Sequence, residues 1–277
     1  MKSSSTIRWA GRFWILGTFI FLYLPLLSLV FYSFSESTII NDWTSFSLRW
    51  YRELMEDSEI FAALLTSLKI AALSATGSVV MGTLAAYAML RYQHFFGKKL
   101  FLGMVNAPLV IPDVVVGLSL LLTITSIANL FQISGGKSIY TIWIGHMLVG
   151  TAYATVVISA RLRELNPQFE EAALDLGARP IQVFFLVTLP MMLQSLGAAW
   201  LLTFTLSLDD VVIASFLSGP SSTTLSMVIF SRAQRGLNPS INALAAVIVV
   251  AVSIGVIVAS YLIARREKER WKKSNGK

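Results

Sequence analysis

Long apolar stretches dominate this chain, and they constrain its fold more than any other feature. Of its 277 residues, 55% are hydrophobic and only 13% are charged, whereas soluble domains carry about 25% charged residues. The charged residues lie mostly between the apolar stretches, which is typical of a helical protein that crosses a membrane several times. The sequence therefore predicts an all-α, polytopic membrane protein.

Six stretches reach the roughly 20 apolar residues that a bilayer-crossing helix requires. The predicted spans are Phe13–Phe34, Ile60–Leu90, Leu100–Phe131, Ile139–Ala160, Ile181–Asp210 and Ile241–Ala264. The first span follows three basic residues, as in a signal peptide, but it is too long for one and no small-residue cleavage site follows. We therefore expect one transmembrane domain over residues 13–264, between an N-terminal segment (1–12) and a basic tail (265–277).

The basic residues predict which ends of the spans face the cytoplasm. Sixteen Lys and Arg residues fall on one side and five on the other, while Lys69 lies inside a span. Because cytoplasmic loops carry the excess of Lys and Arg, both termini and the loop over residues 161–180 are predicted to be cytoplasmic. The net charge of +7 is interpreted as this topology signal, and no nucleic-acid partner is expected.

The segment between the first two spans is predicted to lie on the outer side. Leu48, Tyr51, Leu54 and Met55 recur at helical spacing, and Ser47 can cap the helix. The pattern indicates an amphipathic helix on the outer interface of the membrane, and a docking surface for an outside partner is the alternative.

Between spans four and five, the sequence FEEAALDLGARP interrupts the apolar pattern. Asn166 is a favourable N-cap, and Pro167 suits the first helical position. Gly177 can adopt the left-handed conformation that ends a helix, and Pro180 prevents continuation. The predicted helix, Pro167–Leu176, is only about 15 Å long, which is too short to cross a bilayer.

The apolar and acidic residues of this short helix fall on different faces. The apolar residues, at positions i, i+3, i+4 and i+7, are Phe169, Ala172, Ala173 and Leu176. The acidic residues are Glu170, Glu171 and Asp175. Local chemistry leaves two interpretations open: a connector that packs on its own membrane helices, or a plug that docks into a groove on a cytoplasmic partner.

A longer spacing pattern surrounds this helix. Glu171-Ala172-Ala173 is followed after three residues by Gly177, and after nine more by Val187-Thr188-Leu189-Pro190. The pattern resembles the EAA motif of ABC-importer permeases, in which isoleucine stands at the position of Val187. The resemblance implies a type I, MetI-like permease whose short helix, the coupling helix, is seated in an ATPase subunit. The residues that it implies for ATPase coupling are Glu170, Glu171, Ala172, Ala173, Asp175, Gly177, Leu189 and Pro190.

Carboxylates inside spans are costly, which makes them candidates for a transport path. Asp113 follows Pro112 in span three, and Asp209 and Asp210 end span five. A path with these groups would suit a cationic solute and repel sulfate or phosphate. Simpler roles stay open, because Asp209 and Asp210 can face water outside and Asp113 can accept hydrogen bonds from N–H groups that the prolines leave free.

Two further side chains are ambiguous. Trp200 could add cation–π attraction for a cation, or it could pack on Phe204. His146 is interpreted as a hydrogen-bonded packing residue. With no Cys and only two distant His residues, neither a metal site nor a catalytic residue is predicted.

Five segments carry a closer resemblance. They are PLVIPDVVVGLSLLL, ISARLREL, EEAALDLGARP, FTLSLDDVVIASFLSGP and INALA. They are similar to the polyamine permeases of ABC importers, and the similarity covers nearly the whole chain. It implies import of putrescine, with spermidine as the close alternative, across the bacterial inner membrane.

The same resemblance implies the partners. They are a second permease subunit in a heterodimer, two cytoplasmic ABC ATPases and a periplasmic polyamine-binding protein. ATP and Mg would belong to the ATPases, because this chain has no G-x-x-x-x-G-K-[ST] loop and is expected to bind no cofactor.

Other functions fit less of the sequence. A permease for another solute keeps the coupling helix and changes only the cargo. An ion-coupled secondary transporter for organic cations would explain the carboxylates but not the capped helix, and no inverted repeat is visible. A membrane enzyme would need a nucleophile or a His-rich cluster beside the aspartates.

Overall fold

The computed structural model describes residues 3–39, 42–92, 94–132, 137–235 and 239–275. These residues are mainly helical, with an isolated bridge between Ser35 and Phe46, so the predicted all-α class is confirmed. The helices are α1 (Ser3–Tyr32), α2 (Arg49–Glu56), α3 (Ser58–Arg91), α4 (Lys98–Asn106), α5 (Asp113–Leu130), α6 (Ile139–Glu164), α7 (Gln168–Asp175), α8 (Pro180–Val183), α9 (Leu189–Asp209), α10 (Val212–Leu217), α11 (Leu225–Gln234) and α12 (Ser240–Asn275).

Five helical segments of the described chain are long and apolar enough to cross a membrane. They are Gly11–Tyr32, Ser58–Arg91, Asp113–Leu130, Ile139–Glu164 and Pro180–Asp209. The sixth predicted span lies within α12, where Ser240–Gly255 is a shorter apolar helix. The number of spans therefore agrees approximately with the sequence prediction.

The third predicted span, Leu100–Phe131, is not one continuous helix. A 3₁₀ turn at Ala107–Leu109 follows α4, and α5 starts only at Asp113. Pro112 has an extended backbone with φ −58° and ψ 139°, so it stands outside the helix. The reason is that proline lacks an N–H and disfavours helical geometry in the residue before it.

The described chain forms two compact units. The first holds the described residues up to Ser58 together with those from Arg232 onward. In this unit α1 and α2 both pack on α12. An ion pair of 2.6 Å between Arg232 Nη1 and Asp57 Oδ2 joins the start of the unit's second segment to the residue after α2.

Helix α2 lies where the amphipathic helix is predicted. The Ser47 hydroxyl oxygen accepts a hydrogen bond of 3.1 Å from the N–H of Arg49, the first residue of α2, but the N-cap position itself is Leu48. Trp50 and Leu54 are buried, whereas Leu48 and Met55 are exposed. The buried face of α2 therefore differs from the predicted one, because it includes Trp50 and leaves out Leu48 and Met55.

The second unit, Glu59–Ser231, contains four of the five long apolar segments almost completely. Helix α6 lies along α9, and α10 packs on α5 and α6. The hydroxyls of Ser74 and Ser78, one turn apart on α3, donate to the carbonyl oxygens of Trp143 and Met147 on α6, at 3.4 and 3.2 Å. Such contacts are the usual polar link between membrane helices, where the lipid offers no hydrogen-bond partner.

Candidate functional site

The short acidic helix α7 has both of the predicted ends. Oδ1 of Asn166 accepts a hydrogen bond of 3.0 Å from the N–H of Gln168, so the predicted N-cap side chain is in use. Pro167 has helical φ and ψ of −61° and −22°. The regular helix is Gln168–Asp175, one residue shorter at each end than the predicted Pro167–Leu176.

The C-terminal end of α7 depends on Gly177. Its φ is +86°, a left-handed backbone conformation that residues with a Cβ atom adopt only with strain. The N–H of Gly177 donates to the carbonyl of Leu174 at 2.9 Å, and the N–H of Ala178 donates to the carbonyl of Ala173 at 3.1 Å. These two bonds form a Schellman motif, which satisfies carbonyl groups that the helix end would otherwise leave unpaired.

Most of the apolar stripe on α7 is exposed. Phe169 is 56% exposed and Leu176 is 90% exposed, and Ala172 is exposed as well, whereas Ala173 is half-buried. Glu171 and Asp175 also face outward. The helix thus offers an apolar strip, flanked by carboxylates, that its own unit does not cover.

Glu170 points the opposite way from its neighbour Glu171. Its Oε1 accepts hydrogen bonds from Nη2 of Arg91 at 2.6 Å and from Oγ1 of Thr188 at 2.8 Å. The Glu170 side chain is only 16% exposed, and Thr188 is 1% exposed. Glu170 is predicted to couple to the ATPase, but its side chain contacts the membrane helices of its own chain.

The last part of the predicted motif forms a wide helical turn. Between α8 and α9 the chain makes a π-helical turn, Phe184–Thr188, and the N–H of Leu189 donates to the carbonyl of Phe184, five residues back. In a regular α-helix the ring of Pro190 would collide with the carbonyl of Leu186. The wider turn supplies a local change of register at that point, so span five runs from Pro180 to Asp209 without ending.

A second candidate site is a cavity of about 90 Å³ within the same unit. It lies between the start of α5, the middle of α6, the end of α9 and the start of α10, and it is partly open. Its lining residues are Asp113, His146, Val149, Gly150, Tyr153, Thr203, Leu206, Ser207, Asp210 and Ile213.

Asp210 is held in place by four hydrogen bonds, three of them to its carboxylate. Its carboxylate accepts from the N–H groups of Ile213 at 3.3 Å and Ala214 at 2.8 Å, and it thereby caps α10. Its Oδ2 lies 3.0 Å from Nε2 of His146. The Asp210 carbonyl also accepts a hydrogen bond of 2.7 Å from the hydroxyl of Ser226. These contacts fix one carboxylate at the cavity wall.

Asp113 brings a second carboxylate to the cavity. It is the first residue of α5, directly after Pro112, and its side chain is exposed. A carboxylate is favoured at a helix N-terminus, where the helix dipole is positive. Two of the four predicted path residues, Asp113 and Asp210, therefore line one cavity, although they are 97 positions apart in the sequence.

The other two predicted path residues lie elsewhere. Asp209 is exposed and does not line the cavity. Trp200 stacks on Phe204, with ring centroids 5.0 Å apart, and its Nε1 donates to Oγ1 of Thr76 at 3.1 Å. This environment agrees with the interpretation of Trp200 as a packing residue, since Trp200 does not line the cavity.

Sequence reasoning missed four polar residues of the cavity. His146 is hydrogen-bonded, through Nδ1 to the Ser207 hydroxyl at 2.7 Å, as a packing histidine would be, but it also lines the cavity. The other three, Tyr153, Thr203 and Ser207, were not singled out. The available signal was spacing: His146, Gly150 and Tyr153 fall at i, i+4 and i+7 on α6, which places them on one helix face.

Comparisons with known proteins identify relatives of this chain. Residues 78–270 match the family model described as the binding-protein-dependent transport system inner membrane component. The chain is 50% identical to the putrescine transport system permease protein PotI of Escherichia coli K12, over 91% of this chain and 90% of the relative. It is 36% identical to the spermidine/putrescine transport system permease protein PotC of Haemophilus influenzae, over 92% and 98% of the two chains.

Solved structures show a similar fold at low identity. A subunit of a bacterial ABC transporter involved in the import of the acidic polysaccharide alginate matches with a TM-score of 0.70 and 18% identity, over 96% of this chain and 99% of that chain. A chain of the MetNI methionine ABC transporter matches with a TM-score of 0.56 and 14% identity, over 79% and 98%. The prediction of an ABC-importer permease, and not an enzyme, is thus confirmed, and the chain belongs to the family of binding-protein-dependent transport system inner membrane components.

Proposed function

We propose that this chain imports polyamines, with putrescine as the preferred one, as one permease subunit of an ABC importer in the inner membrane. The observation that carries the proposal is the cavity that Asp113 and Asp210 both line, in a chain that is 50% identical to a putrescine permease. Putrescine carries an ammonium group at each end at neutral pH. Carboxylates in a partly dehydrated cavity attract such groups, and one carboxylate per ammonium is the simplest match.

The cavity suits passage better than tight binding. Asp210 already shares its charge with His146 and two backbone N–H groups, so its attraction for a passing ammonium is moderated. The ring of Tyr153 supplies a further surface on which a cation can rest. The carboxylates would lower the barrier for a dication without holding it.

We assign the exposed strip on α7 to an ATPase subunit. Its apolar residues are open in the chain itself, and the two ends of the helix are fixed by Asn166 and Gly177. A rigid, capped helix can carry a displacement from one protein to another without fraying. ATP and Mg would act in the two ATPase subunits, whose closure would move α7 and open the path alternately to the two sides.

The remaining partners and the orientation belong to the same proposal. A second permease subunit would complete a heterodimer, and a periplasmic polyamine-binding protein would deliver the cargo from outside. Both termini and α7 would lie in the cytoplasm, because sixteen Lys and Arg residues fall on that side against five on the other.

The experiment that tests this function is accumulation of labelled putrescine in proteoliposomes. The vesicles would contain the complex purified with this chain, with the binding protein outside and ATP available to the ATPases, and spermidine would be added as a competitor. We expect ATP-dependent accumulation, with the competition giving the preferred polyamine. An active ATPase without polyamine accumulation would direct the search to other cargo, and accumulation driven by an ion gradient without ATP would contradict the importer.

A further inference from the structure

Glu170 connects three separate segments through one carboxylate oxygen. Oε1 accepts from Arg91, the last residue of α3, and from Thr188, the last residue of the π-helical turn, while Glu170 itself lies in the first turn of α7. Arg91 lies 79 positions away in sequence and Thr188 lies 18 positions away. This carboxylate therefore joins the short helix to two different transmembrane helices.

The junction is largely shielded from water. The side chains of Arg91 and Glu170 are 24% and 16% exposed, and Thr188 is 1% exposed. A charge pair in such a position is screened less by salt than a surface pair, and removal of one partner leaves the other charge uncompensated. Nε of Arg91 is buried without a hydrogen-bond partner in the described structure, so this guanidinium depends on Glu170 for its pairing.

A second contact holds the same two membrane helices together. Tyr87, one turn before Arg91 on α3, meets Phe184 of the π-helical turn edge to face, with ring centroids 5.1 Å apart. The end of α3 and the start of span five are thus already in contact, and Glu170 attaches α7 to this contact. A displacement of α7 would act on both helices at once.

Both helices lead from the junction to the cavity. Thr203 and Ser207, on the cavity wall, lie 15 and 19 residues after Thr188 on the same span, about 22 and 28 Å along it. Helix α3 reaches the cavity wall indirectly, through the hydroxyl of Ser78, which donates to α6 three residues before Gly150. The π-helical turn lies at the start of the direct route, and such turns are frequent at functional sites.

We propose that Glu170 is a positioning residue that transmits the movement of α7 to α3 and to span five, and that it does not contact the ATPase. This inference rests on the proposed function, because it assumes that ATP hydrolysis in a partner moves α7. Its neighbour Glu171 is the matched comparison, since it has the same side chain on the same helix but faces outward.

The test compares Glu170→Gln with Glu171→Gln in the complete complex. Three quantities are measured: co-purification of the ATPase, ATP hydrolysis with the binding protein present, and labelled putrescine transported per ATP hydrolysed. Glu170→Gln should keep the ATPase bound and active while transport per ATP falls roughly tenfold, as loss of a charge-assisted hydrogen bond implies. Glu171→Gln should weaken co-purification and leave transport per ATP near the wild-type value in the complex that remains.

Two further variants separate transmission from simple loss of stability. Thr188→Val removes one donor and no charge, so it should lower transport per ATP by a smaller factor than Glu170→Gln. The exchange Arg91→Glu with Glu170→Arg restores a charge pair across the same gap, and it should recover part of the coupling that either single reversal loses.

The outcomes separate this inference from the proposed function. If Glu170→Gln transports as much putrescine per ATP as the wild type, or loses the ATPase as Glu171→Gln does, the inference is wrong. If the wild-type complex moves no polyamine, the proposed cargo fails, and co-purification of the two glutamine variants still decides whether Glu170 contacts the ATPase.

Discussion

Nε2 of His146 lies 3.0 Å from Oδ2 of Asp210, and this pair closes one side of the cavity. The histidine comes from the middle of α6, and the aspartate follows the last residue of α9. The same carboxylate caps α10, so a single side chain orders three segments around the space that we assign to the cargo. The negative charge at the wall is therefore fixed in position before any cation arrives.

Asp210→Asn should slow uptake without preventing assembly. Asparagine has nearly the same shape and keeps an oxygen that can accept the N–H of Ala214, but the charge is lost. A charge-assisted hydrogen bond contributes about 1.5–3 kcal/mol, so we expect uptake to fall at least about tenfold. Initial rates of labelled putrescine uptake check this, and unchanged rates would remove Asp210 from the path.

The neighbouring residue gives the control for this measurement. Asp209→Asn removes the same charge one position earlier, on a side chain that is exposed and does not line the cavity. We expect a smaller change in uptake than for Asp210→Asn. Equal losses in both variants would mean that the general negative charge of this region matters, and not the cavity.

Leu176→Glu should abolish co-purification of the ATPase, whereas Leu176→Ala should only weaken it. The side chain is 90% exposed in the chain, so neither change should affect folding. Docking in an apolar groove would bury the leucine and stabilise the complex by about 2 kcal/mol, and alanine would keep only part of this stabilisation. A glutamate carboxylate would lose its hydration without gaining a polar partner. Quantitative co-purification checks the order of the two effects, and retention of the ATPase by the glutamate variant would contradict docking through this strip.

Gly177→Ala should loosen the end of α7 and reduce ATPase association. The φ of +86° costs an alanine about 1–2 kcal/mol, and the two hydrogen bonds of the Schellman motif depend on that conformation. Gly103→Ala is the control, because a methyl group there would meet nothing within 4 Å and the residue is not left-handed. Equal ATPase recovery in the two variants would show that the backbone turn at Gly177 is dispensable.

Local signals in the sequence were sufficient for part of this structure. Asn166, Pro167 and Gly177 each act on neighbouring backbone groups, so the position and length of α7 follow from them. The apolar stripe was equally local, and the length of the spans follows from the thickness of a bilayer. The break before Asp113 agrees with the two prolines that precede it, Pro108 and Pro112, although the predicted span Leu100–Phe131 includes both.

The contacts that sequence reasoning could not supply are long-range. Glu170 looks equivalent to Glu171 in the sequence, but its partners Arg91 and Thr188, 79 and 18 residues away, hold it inward. His146 meets Ser207 and Asp210 across 61 and 64 positions. A helix pattern gives the face on which a residue lies but not the neighbour of that face, so these partners required the packing of α3, α6 and α9.

Gly82→Ala should destabilise the membrane unit by pushing α3 away from α6. A methyl group built on Gly82 would lie 2.7 Å from the Cβ of Ala154 and 3.0 Å from the backbone nitrogen of Thr155, and backbone cannot yield as a side chain can. Overpacking of this kind costs about 1–3 kcal/mol, so the midpoint of thermal unfolding in detergent should fall by several degrees. Gly197→Ala, on α9, is the matched control, since its added methyl group meets nothing within 4 Å and alanine favours the helix. A stable Gly82→Ala variant would mean that the two helices can separate without cost, and that the close approach does not hold the unit together.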